Sequence, residues 1–134
     1  MFDLTGKCAL VTGASGGIGR TIAQQLKAQG AVVGLSGTRV DSLQALASEL
    51  GDGAYVLPAD LSSAEVATQL IADATAAMGR IDILVNNAGL TRDTLAMRMK
   101  DDDWQLILDV NLTSAFRLSK ACLRGMMKAR WGRI

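Results

Sequence analysis

The sequence predicts an α/β fold in three layers, built on a doubly wound parallel sheet of about four strands in order 3-2-1-4. Three observations carry that expectation. Short, uniformly apolar runs alternate with longer segments whose apolar residues recur at helical spacing. The runs lack in-out alternation, as strands covered on both faces do. Glycines punctuate the joints between the two kinds of segment. Short connections and right-handed crossovers leave few other topologies.

Taken in order, Lys7-Cys8-Ala9-Leu10-Val11 is a buried strand closed by glycines. Ile18, Ile22, Ala23 and Leu26 share one face of a helix that Gly30 closes. Residues 31–35 form the second strand, and Leu43, Leu46, Ala47 and Leu50 mark a second amphipathic helix stopped by Gly51. Residues 54–57 are the third strand. Ser62 with Glu65 three residues on reads as a capping box, opening a helix that buries Val66, Leu70, Ile71 and Ala74 and ends at Gly79. Residues 82–85 are the fourth strand. Asp101, Asp102 and Asp103 suit the positive end of one long last helix. Its apolar positions include Trp104, Ile107, Leu108, Ala115, Phe116, Cys122, Leu123 and Met126, and Gly125 is expected to soften or kink it. No linker or repeat divides the chain, so residues 1–134 are expected to be a single domain.

Composition narrows the function classes. A formal net charge of +1 gives no general field for nucleic acid or an anionic membrane. No apolar run approaches the roughly 20 residues that span a bilayer. The opening Met1-Phe2-Asp3-Leu4 lacks the basic-then-apolar order of a secretory signal. Cys8 and Cys122 sit in apolar segments without metal-like spacing, which suits buried thiols in a reducing cytoplasm better than a disulfide. With no histidine in the chain, imidazole catalysis is excluded and no metal site is expected.

Chemistry concentrates in the loops after the strands. Gly13-Ala14-Ser15-Gly16-Gly17-Ile18-Gly19 joins the first strand to a helix. A helix N-terminus offers unpaired N–H groups and a favourable dipole to a diphosphate, and glycines let backbone approach it closely. The spacing Gly-x-x-x-Gly-x-Gly departs from the usual Gly-x-Gly-x-x-Gly, so its position after the first strand carries the argument; the alternative is a glycine-rich turn without ligand. At the end of the second strand, Leu35-Ser36-Gly37-Thr38-Arg39 has no acid to hold a ribose 2′-hydroxyl and repel a 2′-phosphate. That favours NADP, as NADPH, over NAD. Thr38 would then supply a hydroxyl and Arg39 a phosphate partner, or Arg39 is a solvated residue before a helix. Asp60-Leu61 follows the third strand, where a carboxylate could accept from the adenine amine; the competing role of Asp60 is in the turn before Ser62.

Asn86-Asn87-Ala88-Gly89 completes a specific pattern. With Thr12-Gly13, Gly17, Gly19 and Asp60-Leu61, it resembles the short-chain dehydrogenase/reductase family and its Rossmann-like fold. The stretches 90–100 and Asn111-Leu112-Thr113-Ser114-Ala115-Phe116-Arg117-Leu118-Ser119-Lys120 resemble the branch that reduces 3-oxoacyl thioesters of acyl-carrier protein in bacterial fatty-acid synthesis. The resemblance covers the whole chain but only about the first half of such an enzyme. It implies that Gly13, Ser15, Gly16, Gly17, Ile18 and Gly19 face the diphosphate, while Asn87, Ala88 and Gly89 flank the adenine ribose. Paired amides pinning backbone at a strand end are the alternative for these asparagines, and the preferred one for Asn86. Asn111 matches the family's active-site asparagine, which supports a proton-relay water; a local backbone bond is the alternative. Arg130, within the basic set Arg124, Lys128, Arg130 and Arg133, matches a position that contacts the acidic carrier protein, although cations also suit a helix C-terminus.

The resemblance also sets a limit. The family's Ser, Tyr and Lys fall beyond Ile134, and the one tyrosine, Tyr55, comes far too early to serve. Without general acid catalysis, commonly worth about 10²–10⁴-fold, the chain on its own is expected to bind rather than turn over. An open sheet edge and an uncovered last helix imply a homo-oligomer, a dimer or tetramer. Rival expectations are a self-assembled carbonyl or quinone reductase using NADPH, and a non-enzymatic assembly fragment that binds no nucleotide.

Overall fold

β1 (Cys8–Val11), β2 (Val32–Leu35), β3 (Ala54–Val56) and β4 (Ile83–Val85) form one parallel sheet in order β3-β2-β1-β4 in the computed structural model, which describes residues 2–134. β1 is central, with Leu10 opposite both Gly34 and Leu84, and all four of its residues are buried. That is why its sequence is apolar throughout rather than alternating.

Alternation along the strands sorts side chains into two cores. Ala9, Val11, Val33 and Leu35 face α1 (Gly17–Ala28) and α2 (Val40–Leu50), meeting Ala23, Leu43 and Leu46. Leu10 and Leu84 face the opposite layer, α3 (Ala64–Met78) and α5 (Ser114–Ala129), and meet Leu70, Leu118, Cys122 and Met126. The two faces make the predicted three layers, and they bring the strands' carboxyl ends to one edge.

The start of β4 is pinned by a buried carboxylate. Asp82 accepts from the Cys8 N–H at 2.9 Å and from Arg80 Nε at 2.8 Å, while Arg80 also donates to the Gly6 carbonyl. These bonds satisfy a charge that would otherwise be costly inside the fold.

Several local expectations are corrected. The capping box does not form: Ser63 is the N-cap of α3, and its hydroxyl donates to Glu65 at 2.9 Å, while Ser62 bonds Asp60 instead. Val66 is only half-buried, and Ala67 takes the deep position. Ile18, expected on the core face of α1, is 73% exposed at the helix entrance. The long last helix is interrupted. α4 (Asp101–Leu108) runs into a π-turn, Asp109–Thr113, before α5 begins. The irregularity therefore lies at Asn111 and not at Gly125, which α5 passes through unbroken. Trp104, Phe116 and Leu123 lie on the exposed side of these helices, Phe116 at 64%.

After α5 the chain returns to the sheet. Arg133 pairs in parallel with Ile83, its N–H bonding the Asp82 carbonyl at 3.0 Å and its carbonyl accepting from Leu84 at 2.9 Å. This single bridge lies beside β4, at the sheet edge that the sequence reading expected to be open. Trp131 stands next to it, with Lys7 Nζ 3.9 Å and the Arg133 guanidinium carbon 4.7 Å from its ring centre.

Both cysteines are free and buried, as the sequence suggested. Burial pushes the Cys122 thiol up to about 11. Because the folded value is raised, the thiol's stabilising contribution is fully present below its unfolded value and is lost as pH climbs through about 11. Cys122 is therefore expected to resist iodoacetamide at pH 8 in the folded chain and to react once urea unfolds it. Peptide mapping checks this, and rapid native labelling would contradict it.

Among the described residues, no helix is long and apolar enough to cross a membrane, and no group of acids and cysteines has metal-binding geometry.

Candidate functional site: a glycine-lined cleft at the carboxyl edge of the sheet

Chain reversals at the ends of β1, β2, β3 and β4 meet around one cleft of about 470 Å³. Every predicted nucleotide-facing residue lines it: Gly13, Ser15, Gly16, Gly17, Ile18 and Gly19 from the first loop, Thr38 and Arg39 from the second, Asp60 and Leu61 from the third, and Asn87, Ala88 and Gly89 from the fourth. Two predicted residues are not among them. Asn111 sits behind the cleft, and Arg130 caps α5 far along the chain in a left-handed conformation with φ of 53°.

The first loop owes its shape to close backbone approach. Gly13 has φ of +64°, and a Cβ there would lie 2.9 Å from Asn87 Nδ2 and 3.0 Å from Ala88 Cα. At Gly19 a Cβ would run into the Gly13 carbonyl and lie 2.6 Å from Asn87 Nδ2. Only glycine fits at either place. The Arg20 N–H makes an intrahelical bond, to the Gly16 carbonyl at 2.9 Å, so the N–H groups of Gly17, Ile18 and Gly19 precede the α1 ladder. With no acid in the first turn of α1, the helix end is a favourable seat for an anion.

Thr12 ties this loop to β4. Its hydroxyl donates to the Val85 carbonyl at 3.1 Å and accepts from the N–H groups of Asn87 and Ala88, both at 3.0 Å. Asn87 answers with its amide, donating to the Thr12 and Gly13 carbonyls at 3.1 and 3.2 Å. Asn87 therefore does pin backbone, while still lining the cleft. Asn86 turns the other way and donates to Ser119 on α5 at 3.2 Å.

Asn111 makes a reciprocal pair with Leu90: its Oδ1 accepts the Leu90 N–H and its Nδ2 donates to the Leu90 carbonyl, both at 2.8 Å. The partner is backbone, but not the local bond weighed for this residue: it lies 21 residues away in sequence. The π-turn provides the local widening that such a polar residue needs, a common device near functional sites. Through this pair Asn111 positions Leu90, which does line the cleft.

At the second loop, Arg39 Nη2 donates to the Ser15 carbonyl at 2.6 Å, so its guanidinium spans from the end of β2 to the first loop. Asp60 takes the turn role weighed for it: Oδ1 accepts from the Ser62 hydroxyl at 2.7 Å and from the Ser62 N–H at 3.0 Å. These bonds, the hydroxyl's first, hold its carboxyl below the usual carboxylate range. Its Oδ2 makes no hydrogen bond to the chain, and the group stays ionised at neutral pH.

The cleft also contains residues that sequence reasoning passed over, namely Ser36, Gly37, Ala59, Leu90 and Val110. Leu90 and Val110 carry no motif of their own and enter through the Asn111 pair. Ser36 is different. Its hydroxyl is the one buried side-chain polar atom among the described residues without a hydrogen-bond partner. Leaving such a group unsatisfied costs about 1–3 kcal/mol, so its presence calls for an explanation.

Comparison with known proteins agrees with this geometry. The family model described as "short chain dehydrogenase" matches residues 7–134. The chain belongs to the short-chain dehydrogenase family. It is 55% identical over all 134 residues to Nodulation protein G of Rhizobium sp. (strain N33), and 50% identical over 132 residues to 3-oxoacyl-[acyl-carrier-protein] reductase FabG of Escherichia coli (strain K12). It covers 55% and 54% of those relatives, so it spans about half their length. Among solved structures, one described as a short-chain alcohol dehydrogenase from Sinorhizobium meliloti 1021 superposes with a TM-score of 0.90 at 35% identity, over 96% of this chain and 52% of that one. In this member of the family, the glycine cradle that added Cβ atoms would fill fits the nicotinamide dinucleotides that the family binds.

Proposed function

We propose that this chain is the NADP(H)-binding half of a ketone reductase acting on 3-oxoacyl thioesters of a carrier protein. The observation that carries the reading is the cleft itself. It has a glycine cradle at a helix N-terminus, with Thr38 and Arg39 on its rim and no acid in the loop after β2. The α1 amides and Gly13–Gly19 would hold the diphosphate, Asp60 the adenine amine through Oδ2, and Arg39 the 2′-phosphate. When bound, the cofactor supplies hydride. The 50% identity to a protein named as a 3-oxoacyl-[acyl-carrier-protein] reductase supports the substrate class.

The described residues supply nucleotide-binding groups but no phenol at the cleft. Tyr55 stands on edge strand β3 and does not line the cleft. No other tyrosine is present to serve as an acid. Exposed Leu112, Phe116, Leu123 and Met127 on the last helical stretch favour self-association of the chain into a homo-oligomer. Arg130, exposed at the end of α5 beside Arg124 and Lys128, is the proposed contact for an acidic carrier protein.

Calorimetric titration with NADPH and NADH tests the central reading. NADPH should bind at least about tenfold more tightly, and Arg39→Ala should bring it close to NADH. Equal affinities in the parent chain would refute the NADP assignment, and no saturable signal with either would refute nucleotide binding altogether.

A further inference from the structure

We propose that a second cavity, between α3 and α5 at the amino edge of the sheet, binds an aliphatic carboxylate. It lies at the opposite edge from the nucleotide cleft and does not depend on that reading.

The cavity exists because α5 carries small residues where it passes α3. Ala121, Gly125 and Ala129 follow one another at helical spacing along its wall, and a Cβ at Gly125 would meet nothing within 4 Å. Gly79 and the residues entering β4 close the other side. The space is about 660 Å³, larger than the nucleotide cleft. Small-molecule sites usually measure about 300–1,000 Å³ and are mostly apolar with a few placed polar groups.

The walls sort by polarity. Ile71, Ile81 and Cys122 are buried and give an apolar floor. Arg80, Arg124 and Lys128 bring three cations against one acid, Asp82. Arg80 and Asp82 pair at 2.8 Å and so leave no net charge between them. Arg124 and Lys128 are exposed, and among the described residues neither has an acid within 4.0 Å. Lys128 also suits the C-terminal dipole of α5, but Arg124 lies before the last turn, where that effect has faded. Two cations at neighbouring helical positions over an apolar floor complement one anionic head on an apolar body. A guanidinium fork matches the two oxygens of a carboxylate. A second copy of this chain is a poor occupant, because symmetric pairing through the groove would set these cations against their own images.

The test follows backbone amide resonances of the isotope-labelled chain as sodium decanoate, decanol or sodium acetate is added below micelle-forming concentrations. Decanoate should bind saturably and shift Gly79 and Gly125, decanol should bind about tenfold more weakly, and acetate should not bind. The double variant Arg124→Gln, Lys128→Gln should lose about tenfold in decanoate affinity and keep that for decanol. Gly125→Leu, which fills the groove from an open and exposed position, should abolish binding of both without lowering the melting temperature. If Gly125→Leu melts early, the glutamine pair still decides the matter. Absence of saturable decanoate binding would overturn the proposal, as would shifts centred on the exposed Phe116 and Leu123 face. Undiminished decanoate affinity in the glutamine variant would also overturn it. So would an acidic carrier protein that binds through Arg124 and Lys128 where decanoate does not, since the cations would then serve a protein surface. NADPH titrated in parallel reports on the nucleotide cleft alone, so either reading can fail while the other stands.

Discussion

Replacing Gly19 with alanine is expected to abolish measurable NADPH binding and to destabilise the free chain. The added methyl would meet the Gly13 carbonyl and would lie 2.6 Å from Asn87 Nδ2, and neither neighbour can retreat. The carbonyl belongs to a residue held at φ of +64°, and the Asn87 amide is bonded to both Thr12 and Gly13. Relief must come from moving the start of α1 away from the loop, which scatters the amides that would meet the diphosphate. Overpacking of this kind usually costs about 1–3 kcal/mol. The binding loss should be larger, on the order of 100-fold or more, because misplaced donors lose their joint geometry. Calorimetry and a urea melt measure the two effects separately. Alanine at Gly125 is the control, because a Cβ there meets nothing within 4 Å and the residue does not line the cleft. Full NADPH affinity in Gly19→Ala would show that the ligand sits elsewhere.

Thr12→Val should be the most destabilising conservative change near the cleft. The swap keeps shape and volume but removes the hydroxyl that accepts from two backbone N–H groups and donates to Val85. Thr12 is 1% exposed, so water has little room to replace it. Two stranded donors at about 1–3 kcal/mol each, partly relieved by relaxation, give an expected loss of about 2–4 kcal/mol. For a domain of this size that corresponds to a fall in Tm of roughly 7–14 °C. Thermal unfolding followed by circular dichroism provides the check, and Thr12→Ser should recover most of the loss. A melting point unchanged by valine would mean that the strand-to-strand tie carries no weight.

What was legible in advance followed from periodicity and glycine. Uniform apolar runs at 8–11 and 83–85 announced covered strands, and the order of the sheet followed from short right-handed crossovers. The loops after those strands were equally readable, because glycine at 13 and 19 answers a steric demand that no other residue meets. Less legible were features set by tertiary contact. The π-turn at Asn111 exists because a side chain reaches Leu90, and nothing within 109–113 signals it. Ser62 carried a capping pattern, yet Asp60 captured its hydroxyl and moved the helix start to Ser63. Ile18 had helical spacing in common with core residues but stands at the open end of α1, where the cleft and not the core is its neighbour. Ser36 could have been flagged only as a polar residue following an apolar strand; its lack of a partner is a property of the folded chain.

The indole of Trp131, placed near both Lys7 and Arg133, couples the two extremities of the described chain across the sheet. Lys7 leads into the central strand, whereas Arg133 opens the outermost pairing beside β4. Peeling the tail from the sheet edge would therefore expose the ring and release the lysine together. With the second tryptophan removed as Trp104→Phe, emission from Trp131 gauges whether Lys7 and Arg133 are fastened together, readable without any label.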